Sequence, residues 1–314
     1  MLKYIKHIFT PLLIVGFIMF GCSQNNNDSN SENISVNTLE NISISDFPDQ
    51  YSCTYNGLKH NFIVCMPSNY DENDKNIPVL FMLHDYGSTD EAFRLDTQTD
   101  KTLCPKGYAV VYVSGVSNPD DIYSSTGWNS GIYDSSIDDV GFLKALADFI
   151  HKGFNGDPEK MYIAGFRNGA CMVHRLALEA NDVFSGFISV SGMTPAKTWE
   201  NRGEIDGVNF LQINGDKDDI VPMKINGTDT LTKDPAIEDT LNYYISSGGL
   251  HETERNSLSK KAKITKYSNA SNNKNVWFVL IEGGRNSWPE EKISGFDTNS
   301  LILDFLNYIS KTEE

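Results

Sequence analysis

Apolar residues in this chain fall into short continuous runs, separated by stretches in which they recur every three or four positions. Pro78 to His84, Tyr108 to Ser114, Lys160 to Ala164, Phe184 to Val190, Val208 to Ile213, Lys263 to Ser268 and Val276 to Ile281 read as strands, most with the composition of strands buried on both faces. Between them, Thr89 or Asp90 opens a helical stretch reaching Leu103. Asp138-Asp139 opens another, in which Val140, Leu143, Leu146, Ala147 and Ile150 share one face. Helical patterns also cover Asn168 to Glu179, residues 236–247 and Thr298 to Ile309. Asn56-Gly57, between the alternating arms Tyr51 to Tyr55 and His60 to Met66, predicts a hairpin. Strands alternating with amphipathic helices predict an α/β fold, a mostly parallel sheet with helices on both faces. The polar stretches 222–235 and 248–261 read as loops, the second as an insertion.

A length of 314 residues with 39% hydrophobic residues fits a single α/β domain. The net charge of −16 leaves no basic surface for a nucleic acid. The chain begins with Lys3 and Lys6, an apolar run from Ile8 to Phe20 and then Gly21-Cys22, an export-signal pattern too short for a spanning helix. Met19-Phe20-Gly21-Cys22 resembles a bacterial lipobox, which implies a signal peptide over 1–21, a lipid on Cys22 and an extracytoplasmic, membrane-anchored lipoprotein. Residues 22–46 are rich in Asn and Ser and predict a disordered tether, with the folded domain over 47–314. Cys53, Cys65, Cys104 and Cys171 remain, and the sequence leaves free thiols and bridges equally open. No C-x-x-C spacing or histidine cluster predicts a metal, and no cofactor is expected.

Gly165-Phe166-Arg167-Asn168-Gly169 follows an apolar strand and opens a helix, the layout of a G-x-S-x-G elbow with arginine at its centre. Other landmarks stand in order around it: His84-Asp85-Tyr86-Gly87, Gly127-Trp128-Asn129, Asp138 to Leu143, Asn214-Gly215 to Pro222, and Gly283 to Pro289. With these pieces in this order, the chain resembles the extracellular polyhydroxybutyrate depolymerase and feruloyl esterase group of the α/β-hydrolase fold, over residues 55–310.

That resemblance implies a nucleophile position at Arg167, an acid at Asp218, a base position at Asn286, and an oxyanion loop formed by His84, Asp85 and Asn168. Arginine has no lone pair with which to attack a carbonyl, and a carboxamide is no base at neutral pH, so the expectation is a degenerate triad. Ser191, Ser287 and Ser88 are the rival nucleophiles. Arg167 is expected to pair with Asp85, with Asp218 as second candidate, or to offer its fork to a ligand carboxylate. Trp128, Asn129 and Trp288, with Trp199, Tyr123 and Tyr133, are candidates to line a groove for a polysaccharide, polyester or aromatic acid; packing into the core is the competing expectation for the aromatic residues.

Overall fold

The computed structural model describes residues 38–45, 49–71, 73–117, 124–133, 135–221, 223 and 234–311. The signal segment, Cys22, most of the tether, Tyr123 and Pro222 lie outside them. The strands are β1 (Glu40–Ile44), β2 (Gln50–Tyr55), β3 (Leu58–Cys65), β4 (Ile77–Leu83), β5 (Ala109–Val113), β6 (Val116–Ser117), β7 (Thr126–Gly127), β8 (Gly156–Phe166), β9 (Gly186–Val190), β10 (Phe210–Gly215), β11 (His251–Ser257), β12 (Ala262–Asn269) and β13 (Lys274–Ile281). The helices are α1 (Asp90–Thr97), α2 (Thr99–Leu103), α3 (Asp139–Phe154), α4 (Asn168–Glu179), α5 (Ala196–Glu200), α6 (Ile237–Ser247), α7 (Glu291–Ser294) and α8 (Thr298–Lys311).

Among the described residues, eleven strands form one sheet in the order β1-β2-β3-β5-β4-β8-β9-β10-β13-β12-β11. Its centre, β5 through β13, is parallel, and an antiparallel extension is added at each edge. This is the α/β-hydrolase architecture. The continuous apolar runs follow from burial on both faces. In β4, Val79, Phe81 and Leu83 enter one core, while Leu80 and Met82 enter the other. The first core is closed by α3, α4 and α6, and the second takes Phe93 of α1, Leu103 of α2 and the apolar face of α8.

Local chemistry sets the helix ends. Thr89 accepts the Ala92 N–H at 3.2 Å and Asp138 accepts that of Gly141 at 2.9 Å, both N-cap bonds. Asn155, with φ 56°, ends α3. The helix expected over residues 89–103 is two helices, because Gln98 adopts a left-handed conformation with φ 49° and breaks it into α1 and α2. Two expectations are corrected. Residues 40–44, assigned to the tether, form the edge strand β1 paired with β2. The polar stretch 248–261 contains β11, paired antiparallel with β12; it is exposed on both faces, so it has no apolar alternation to reveal it. The four cysteines Cys53, Cys65, Cys104 and Cys171 are buried and free.

Candidate active site

Four loops leave the carboxyl ends of the parallel strands β4, β8, β10 and β13, where open α/β sheets place their binding crevices. The loop after β8 is the elbow. Arg167 has φ 47° and ψ −109°, a strained conformation for a residue with a side chain. Tight packing holds it there. A Cβ on Gly165 would lie 2.3 Å from the Gly169 backbone, and one on Gly169 would lie 2.2 Å from the Leu83 carbonyl oxygen. Only glycine lets β8, α4 and the end of β4 approach so closely.

The turn leaves a cation at the N-terminus of α4, where the helix dipole disfavours positive charge. Asp85, at the carboxyl end of β4, answers it. Its Oδ2 accepts from Arg167 Nη1 at 3.0 Å, while Oδ1 accepts the backbone N–H of Tyr86 at 2.7 Å and of Asn168 at 3.3 Å. Those two amides belong to the oxyanion loop and to the residue after the elbow's central position, the pair that binds a developing oxyanion in this fold. The Asp85 carboxylate therefore occupies the two amides at which the resemblance would put an oxyanion hole. Arg167 Nη2 donates to the Asn286 carbonyl, and its Cζ lies 5.0 Å from the Phe166 ring centroid. Side-chain exposures of 40% for Arg167 and 24% for Asp85 leave the pair at the mouth of the site, where solvent screening limits its contribution.

Asn286 is buried and donates from Nδ2 to Asp218 Oδ2 at 2.8 Å, and at 3.4 Å to the Ser191 carbonyl. Asp218 Oδ1 is in turn fixed by the amides of Ile220 and Val221, at 3.0 and 2.9 Å. The Arg167, Asn286 and Asp218 positions thus form one connected chain. Asp218 partners Asn286 and not the arginine.

His84 contributes its place in the fold and no free nitrogen. Its Nδ1–H donates to the Asp85 carbonyl at 2.6 Å and its Nε2 accepts the Gly115 N–H at 2.9 Å, which assigns the tautomer. Burial lowers its pKa and keeps the ring neutral.

Trp128 and Asn129, expected at a ligand groove, are spent inside the fold. Trp128 Nε1 donates to the His84 carbonyl at 3.0 Å, and Asn168 clamps the Trp128 backbone, accepting its N–H at 2.7 Å and donating to its carbonyl at 3.2 Å. Asn129 Nδ2 holds the carbonyls of Ser135 and Ile137 at 3.1 and 2.7 Å, and its own N–H reaches Asp139 at 2.6 Å. Trp288 is half-buried, with its ring edge-on to Phe93 and Phe166 at centroid distances of 5.6 and 5.9 Å. Trp199 stacks under Arg202, whose Cζ is 3.6 Å from the ring, and Tyr133 is exposed. The Tyr86 amide on Asp85 was not legible in the sequence, since a backbone donor carries no residue signature.

The comparisons with known proteins agree with this architecture. The family model described as "Putative esterase" matches residues 54–287. The chain belongs to this esterase family. It is 26% identical over 236 residues to "Putative esterase NocK" of Nocardia uniformis subsp. tsuyamanensis, covering 68% of this chain and 65% of that protein. It is 28% identical over 123 residues to "Feruloyl esterase B" of Piromyces equi, covering 39% of this chain and 22% of that protein. The chain therefore spans less than two thirds of the length of either relative. Among solved structures, the acetyl xylan esterase from Aspergillus awamori superposes with a TM-score of 0.57 at 12% identity, covering 79% of this chain and 94% of that one, a likeness of fold. Among the described residues no helix is long and apolar enough to cross a membrane.

Proposed function

We propose that this esterase-family chain belongs with the polyhydroxybutyrate depolymerases and feruloyl esterases, carries arginine and asparagine in place of the catalytic serine and histidine, and acts as a non-hydrolytic binding or regulatory protein. Its ligands are polysaccharide esters or the acidic and aromatic groups they carry, and it is exported and anchored through a lipid on Cys22. The observation that carries this reading is the Asp85 carboxylate seated on the Tyr86 and Asn168 amides and paired with Arg167. An acyl oxyanion would need those same donors and would meet a negative charge there, in a site where one lost donor already costs ~10²- to 10³-fold in rate. A ligand carboxylate makes the same bonds as Asp85 and binds by displacing it.

The relatives' names favour a second reading, an ester hydrolase working through another nucleophile. Ser191 is the best placed, with its carbonyl on Asn286, but its hydroxyl donates to the Ser287 carbonyl at 3.3 Å. His84, the histidine of the oxyanion loop, has both ring nitrogens engaged by backbone and is no base for it.

Hydrolysis of p-nitrophenyl acetate and methyl ferulate separates the two. The unaltered protein is expected at the buffer rate, with turnover appearing in the Arg167→Ser, Asn286→His, Asp85→Gly triple variant, because Asp218 and both amides are already in position. Turnover by the unaltered protein that disappears in Ser191→Ala would establish the second reading instead.

A further inference from the structure

Two of the buried thiols lie together, outside the candidate active site. Cys65 ends β3, and Cys104 opens a single 3-10 turn, Cys104–Lys106, after α2. The Cys104 thiol donates to the Cys65 carbonyl at 3.3 Å. Across the β3–β5 ladder Cys65 is paired with Val110, whose amide faces the same Cys104 thiol. Both cysteine side chains pack in the core on one face of the sheet and interact electrostatically, whereas Cys53 packs on the opposite face. A second bond, from the Ser68 amide to the Cys104 carbonyl at 3.2 Å, ties the chain following Cys65 to the same turn.

We propose that Cys65 and Cys104 form a dithiol that an external low-molecular-weight disulfide converts to a protein disulfide. This would staple residues 65–104, the segment carrying β4, α1, α2 and the Asp85 loop. One protein thiolate attacks the external disulfide, forming a mixed disulfide and releasing one external thiol. The second protein thiolate attacks the protein sulfur of that mixed disulfide and releases the other. Two electrons pass from the protein sulfurs to the external disulfide, and the two thiol protons end on the released thiols. A disulfide requires Cα atoms roughly 4.4–6.8 Å apart with converging Cβ vectors, so the cross-link itself tests whether the pair can reach that geometry. Burial pushes the Cys104 thiol up to about 12 and raises that of Cys65 as well, so neither is a thiolate in the closed fold. Exchange therefore proceeds during folding, or when the turn after α2 opens locally.

The test uses the full chain, prepared reduced and incubated with oxidised glutathione in sub-denaturing urea, then alkylated, digested and mapped by mass spectrometry. The expected result is the loss of two thiols per chain and a cross-linked peptide joining Cys65 to Cys104. The oxidised protein should melt at a higher temperature than the reduced one, and dithiothreitol should reverse the shift. Cys65→Ser and Cys104→Ser should each abolish the cross-link, while Cys53→Ala and Cys171→Ala retain it. Retention of both thiols, a bridge involving Cys53 or Cys171, or glutathione adducts without the bridge would overturn the proposal. The peptide map of the unaltered protein decides even where a serine variant fails to fold.

Discussion

Asp85 accepts three hydrogen bonds, and two come from backbone amides that no substitution other than proline removes. Truncating it to alanine leaves the Tyr86 and Asn168 amides and Nη1 of Arg167 without their acceptor, while Nη2 keeps the Asn286 carbonyl. The ion pair itself contributes little because it is partly exposed, typically about 0.2–1 kcal/mol. The larger loss is the two amide hydrogen bonds, about 0.5–1.5 kcal/mol net each, because the first is exposed and the second part-buried and water can replace the acceptor. Asp85→Ala is therefore expected to destabilise the fold by roughly 1–3 kcal/mol in urea unfolding. Arg167→Met, which leaves Asp85 on its two amides, should cost less. A larger loss from Arg167→Met than from Asp85→Ala would mean that the arginine, not the carboxylate, organises the loop. Acetate should partly rescue Asp85→Ala and leave Arg167→Met unmoved, since only Asp85→Ala empties the two amides, whereas in Arg167→Met Asp85 still occupies them.

The elements differ in how far the sequence reveals them, and the difference is burial. β4 and β8 could be read directly because both faces are covered and their apolar runs are continuous. β11 and β1 could not, because both faces meet solvent and their strand state comes from pairing with β12 and β2 alone. The site divides the same way. Arg167, Asp218 and Asn286 stand out in the sequence because glycines and turns flank them at the spacing the resemblance implies, and the fold brings the three together. The roles of Trp128 and Asn129 depend on which carbonyls the folded loops bring within reach, and residue type alone does not say whether an aromatic lines a groove or packs behind one. The elbow offers a direct test at this scale. In Gly169→Ala the new methyl group would lie 2.2 Å from a backbone oxygen of β4, whereas at exposed Gly203 a Cβ meets nothing within 4 Å. Overpacking against backbone costs about 1–3 kcal/mol or more, against about 0.5 kcal/mol for a surface change. Thermal melts should show Gly169→Ala far below the unaltered protein and Gly203→Ala beside it. Equal melting of the two would mean that β4 and α4 can move apart, and the elbow's close approach would then be no constraint on Arg167.

For the molecule as a whole, the buried titratable groups set its behaviour in acid. Burial pushes His60 down to about 4 and His174 to about 3, and lowers His84 as well. It also raises Asp139, to about 7. In the unfolded chain each histidine takes up a proton near 6.5, but in the fold His60 and His174 stay neutral until pH falls to their lowered values. The stability they contribute is complete above pH 6.5 and is lost as pH falls from there toward 4 and 3. Asp139 acts in the opposite sense, since the fold holds its proton from about pH 7 while the unfolded chain does not bind one until near 3.8. His60 and His174 against Asp139 leave the unfolded state with about one more proton between pH 4 and 6.5, a slope of about 1.4 kcal/mol per pH unit, and the lowering of His84 acts in the same direction. Against an ordinary domain stability of about 5–15 kcal/mol, that slope removes about 3 kcal/mol over the window. His60, stacked on Phe142 at a centroid distance of 3.7 Å, isolates one proton of the slope. In His60→Leu the dependence of urea-unfolding free energy on pH should fall by about 1.4 kcal/mol per pH unit between pH 4.5 and 6, whatever the substitution does to stability at pH 8. An unchanged slope would mean that His60 protonates in the folded state as readily as in the unfolded one, and the acid sensitivity would have to come from the carboxylates instead.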